Sequence, residues 1–102
     1  MAQELPRTTA ESTNYRGTSR YAEVMEFIAA IQRADPDIRV ETFATTNEGR
    51  ALPLVIAGPA GVVDPRSAHA SGLPIVFIMA NIHAGEVEGK EAVLMLLRDL
   101  VS

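Results

Sequence analysis

Two residues near the C-terminal end have the types and the spacing for chemistry. In the stretch 76-VFIMANIHAGEVEGKEAVLML-96 an apolar run breaks off at Asn81, and His83 and Glu86 follow three residues apart. If the chain turns into a helix near His83, residues at this spacing face one side, and the imidazole and the carboxylate converge on one ion. Zinc takes a His nitrogen and a Glu oxygen, and catalytic zinc sites typically use three protein ligands plus a water. His83 and Glu86 supply two of the three. A His-Glu-x-x-His motif is excluded by Ala84 and Val87, and the inverted His-x-x-Glu-His by Val87. The remaining His-x-x-Glu pattern is short, so its meaning depends on the elements around it.

Those elements can be read from periodicity. The run 74-PIVFIMA-80 is apolar without alternation, which predicts a strand covered on both faces, of the kind found in parallel or mixed α/β sheets. His83 and Glu86 then fall beyond the carboxyl end of that strand, where open α/β sheets collect ligands. A helix is predicted from about Glu86, with Val93, Leu94, Leu97, Leu100 and Val101 on one side. Upstream, Thr18 or Ser19 is placed to cap a helix whose buried face is Tyr21, Val24, Met25, Ile28 and Ile31 and which ends at Asp35, before Pro36. The segments 38-IRVETFATT-46 and 52-LPLVIAG-58, separated by Asn47 and Gly49, predict an antiparallel hairpin. Residues 58–72, rich in glycine and proline, read as a loop, and residues 1–17 as a polar lead-in.

The order helix, hairpin, buried strand, helix gives an α/β fold, a partial α/β/α sandwich with a mixed sheet. A strand apolar on both faces needs neighbours on its edges and layers above and below, and a strand followed by a helix normally continues to another parallel strand. Residues 18–102 are therefore expected to be the N-terminal part of a larger domain.

Bulk properties narrow the functions. The 102 residues are 47% hydrophobic and 22% charged, a globular composition without the polar bias of disorder. The net charge of −4 and the lack of any basic run argue against a nucleic-acid surface. Without cysteine there are no disulfides and no thiolate metal ligands. The longest apolar run is far shorter than a membrane span, and the N-terminal residues lack the apolar core of a secretory signal.

Three segments, in order, carry a resemblance: 21-YAEVMEFI-28, the turn 47-NEGRALPL-54, and 80-ANIHAGEVEGKEA-92, the most specific of them. Together they resemble the N-terminal portion of a zinc metallocarboxypeptidase of the carboxypeptidase A-like family, with coverage from about Tyr15 to the last residue. The resemblance implies a Zn2+ cofactor held by His83 and Glu86, a peptide or related amide substrate for the full-length protein, and hydrolysis of C-terminal bonds by zinc-activated water. The family's third ligand, its general-base Glu and its carboxylate-binding residues lie further downstream, so the 102-residue chain by itself is expected to be inactive. Gly85 stands where the digestive members carry an arginine, which leaves room for bacterial cell-wall and amidohydrolase-like specificities. The other reading is a non-catalytic remnant or interaction domain that has lost the enzyme's C-terminal half.

The remaining polar residues have plainer readings. His69 reads as a solvated loop histidine. Glu88 and Glu91 suit the first turn of a helix by their charge, and Lys90 is spaced to pair with Glu86 if no metal is bound. Arg50 reads as a structural turn residue, and Met25, Met79 and Met95 as core filler.

Overall fold

The computed structural model describes residues 4–102. It contains α1 (Thr9–Ser12), α2 (Tyr21–Ala34), β1 (Arg39–Thr45), β2 (Ala51–Ile56), α3 (Pro65–Ala70) and α4 (Glu88–Val101). The fold is mixed α/β: four helices and, among the described residues, a two-stranded antiparallel sheet. The chain divides into two compact units, one formed by the residues up to Asp35 together with Val76–Ser102, the other by Pro36–Ile75.

In the first unit α2 packs against α4, and the core is Phe27, Ile28 and Ile31 from α2, Leu94 and Leu97 from α4, and Ala10 from α1. The buried stripe of α2 is thus shifted from the predicted face: Phe27 is inside, while Tyr21 is 37% exposed. The predicted cap also fails. Arg20 occupies the N-cap position without a side-chain cap bond, because Thr18 and Ser19 donate elsewhere. At the other end the helix stops at Ala34, with Asp35 extended ahead of Pro36, as the proline rule requires.

The lead-in is more ordered than its composition suggested. Thr8 and Glu11 form a capping box around α1, in which the Glu11 N–H donates to Thr8 Oγ1 (3.1 Å) and the Thr8 N–H to Glu11 Oε1 (2.8 Å). Glu11 also receives both guanidinium nitrogens of Arg98 from α4, at 2.6 and 2.9 Å. Such forked, charge-assisted bonds fix orientation as well as distance.

In the second unit the hairpin forms as predicted. Its turn closes by Gly49 N–H to Thr46 O (2.9 Å), and Gly49 sits at φ 81, where a side chain would be strained. The register shifts between Thr42 and Ala44, beside the Thr42–Pro53 pair, so the irregularity coincides with the one β2 residue that has no N–H to donate. Residues 58–72 are not wholly loop: α3 is capped by Asp64, begins at Pro65, and is closed by Ser67 in a capping box. His69 lies in this helix, exposed as expected.

The predicted buried strand is the principal correction. Residues 74–80 form no ladder, and no strand pairs with them among the described residues. Val76 is 79% and Phe77 71% exposed, with Ile75, Ile78 and Met79 also open to solvent. Met79 is therefore not core filler, whereas Met25 and Met95 are half-buried. The composition is that of a two-sided strand, but a strand is stabilised by its neighbours, and none is available here.

Two outcomes are expected. The 102-residue chain should bind hydrophobic dyes through the 75–79 segment, and Val76→Thr with Phe77→Thr should remove most of the fluorescence gain; undiminished binding would place the dye elsewhere. The second concerns acid. The Arg98 guanidinium, then the Thr8 N–H, hold Glu11 well below its ordinary 4.5, at about 2. Since the folded value is depressed, this contribution to stability is complete above about pH 4.5 and lost as pH falls toward about 2. Urea midpoints should fall across that window, and Glu11→Gln should flatten the fall.

Candidate metal site

Asn81, at φ 59, follows the exposed apolar segment and lies in the left-handed region. A reverse turn follows, closed by Glu86 N–H to His83 O at 3.0 Å. α4 starts two residues later than expected, at Glu88, with Val87 as its N-cap. The turn still brings the pair together. His83 Nδ1 lies 3.2 Å from both Glu86 Oε1 and Glu86 Oε2, with the His83 and Glu86 side chains 79% and 59% exposed. They stand beyond an exposed extended segment, where the carboxyl end of a buried strand was predicted.

This spacing suits a shared metal ion. Zinc binds His nitrogen and Glu oxygen at about 2.0–2.2 Å, and tetrahedral angles then separate two donor atoms by about 3.3–3.6 Å. A nitrogen 3.2 Å from a carboxylate is close to that separation before any ion enters. Only this pair is gathered: among the described residues no group of three or more His, Asp or Glu side chains is placed to hold a metal.

The helix behind the turn is anchored by a residue whose role was not legible. Glu91 was read as a dipole-favoured first-turn acid. Its side chain is buried, and it accepts from Thr18 Oγ1 (2.9 Å), the Ser19 N–H and the Ser19 hydroxyl. Burial pushes the Glu91 carboxyl up, but the Ser19 and Thr18 bonds and the Lys90 charge outweigh it and hold the group below its usual range. Lys90 does not reach Glu86 as the spacing suggested. It donates to Ser19 O and lies 3.7 Å from Glu91 Oε1. Glu88 is exposed and fits the dipole reading, and Arg50 pairs with Glu48 in the hairpin turn. No local pattern announces the Glu91 contacts, which span 72 and 73 residues of sequence.

The sequence profile of the zinc carboxypeptidases matches residues 24–102. The chain belongs to the zinc carboxypeptidase family. The match begins within α2, so the residues from Tyr15 to Glu23 that the resemblance included lie outside it. No curated protein and no solved structure matches the chain. No helix among the described residues is long and apolar enough to cross a membrane.

Removal of the buried carboxylate should be costly. Glu91→Ala is expected to lower unfolding free energy by about 2–4 kcal/mol, since three donors and the Lys90 charge lose their partner. Glu88→Ala, one turn away and exposed, should stay within about 0.5 kcal/mol. Urea denaturation of the two variants gives the comparison.

Proposed function

We propose that residues 18–102 are the zinc-ligand-bearing part of a metallocarboxypeptidase domain, in which His83, through Nδ1, and Glu86 hold the metal. The observation that carries this reading is the 3.2 Å approach of His83 Nδ1 to both oxygens of Glu86 on an open turn. Family membership supports the choice of Zn2+ over other ions. When bound, zinc supplies a Lewis acid that polarises a scissile carbonyl and makes water a nucleophile at neutral pH.

The division of labour follows from the donor set. Glu86 acts as a ligand and so does not serve as the general base. The base and the third ligand come from sequence outside these residues, as do partner strands for residues 74–80, whose exposed apolar side chains on both faces match such a role. The substrate is a C-terminal peptide or related amide. At Gly85 there is open space and no side chain, which favours substrates other than those that need an arginine at this position.

Zinc titration decides the matter. The 102-residue chain should bind zinc weakly, lose that binding on His83→Ala, and hydrolyse no peptide. A longer natural chain should bind much more tightly and cleave C-terminal peptide or amide substrates. Loss of a supporting residue costs about 10–100-fold in metal affinity, so His83→Ala or Glu86→Ala in the longer chain should cost more than about 100-fold and abolish activity. Undiminished zinc binding after both substitutions would place the metal elsewhere.

A further inference from the structure

The side chains of His83 and Glu86 are exposed, and the polar contact each makes among the described residues is with the other. What holds them in register is the backbone of the turn, and that backbone converges on one amide. Asn81 Nδ2 donates to His83 O at 3.0 Å, with longer approaches to Glu86 O (3.3 Å) and Ala84 O (3.4 Å). Asn81 is itself half-buried and in the left-handed region, φ 59, which asparagine tolerates better than most residues with a side chain. Its backbone thus reverses the chain while its side chain gathers the carbonyls of both ligand residues.

We propose that Asn81 is a positioning residue that holds the 83–86 turn in its ligand-presenting form before metal binds. For its effect on zinc, the proposal rests on the reading of His83 and Glu86 as ligands. The physical reason is preorganisation. A turn ordered in advance leaves the ion no conformational entropy to remove, whereas a loose turn subtracts that ordering cost from the affinity.

Two variants separate the contributions. Asn81→Gly keeps left-handed freedom and removes only the amide, while Asn81→Ala removes the amide and strains the backbone. In the metal-free 102-residue chain, nuclear Overhauser contacts between the His83 ring and the Glu86 Hγ protons should be present, and absent in both variants. The urea midpoint of Asn81→Gly should match the parent, because the hydrogen bonds it removes are confined to the exposed turn. Zinc affinity should fall about 10-fold in Asn81→Gly and at least as far in Asn81→Ala. Retained Overhauser contacts in Asn81→Gly would overturn the positioning role whatever the metal does. Zinc binding insensitive to His83→Ala would overturn the ligand reading and leave the metal-free contacts to decide Asn81.

Discussion

The Glu91 carboxylate governs how the rest of the first unit is arranged. A buried charge is costly unless donors meet it, and Thr18 and Ser19 supply three, all at Oε1 with Lys90 alongside, while Oε2 is buried without a hydrogen-bond partner among the described residues. Those donors fix the first turn of α4 against the segment ahead of α2. Leu94 and Leu97 follow on the same buried side, so the carboxylate sets the rotation at which the helix presents its apolar stripe to Phe27, Ile28 and Ile31. The two residues that precede α4, Glu86 and Val87, inherit their position from it.

The far end of α4 is held by an independent pair. Arg98 forks onto Glu11 and also donates to Pro6 O at 3.1 Å, which ties the last turns of the helix to α1 and the residues before it. Polar contacts at both ends and apolar contacts between them make α4 the best-fixed element behind the turn. A side-chain pair on an open turn is positioned only as well as the helix that follows it.

Local features were the legible ones. His83 and Glu86 lie three apart within one turn, a spacing at which side chains can share a face. The hairpin followed from Gly49 and β-branched flanks, and the end of α2 from Pro36. Thr8-x-x-Glu11 and Asp64-Pro65-x-Ser67 are capping signatures at the starts of α1 and α3, but neither helix has an apolar period to strengthen the signal. Glu91 was a different matter: its partners lie more than seventy residues away, and nothing in its own neighbourhood distinguishes it from Glu88. The 74–80 segment shows the converse limit. Its composition states what surroundings it suits, but strand structure is a property of the pair, and a sequence run does not carry its partner.

The first unit is assembled from two stretches of chain with Pro36–Ile75 between them. That discontinuity has a kinetic meaning. α2 and α4 can meet only after an intervening stretch of about 50 residues is closed, at an entropic cost on the order of 3–4 kcal/mol. The β1–β2 ribbon needs no such closure and forms from neighbours on the microsecond scale. The cost of loop closure thus falls on the pairing of the two helices and hardly at all on the ribbon.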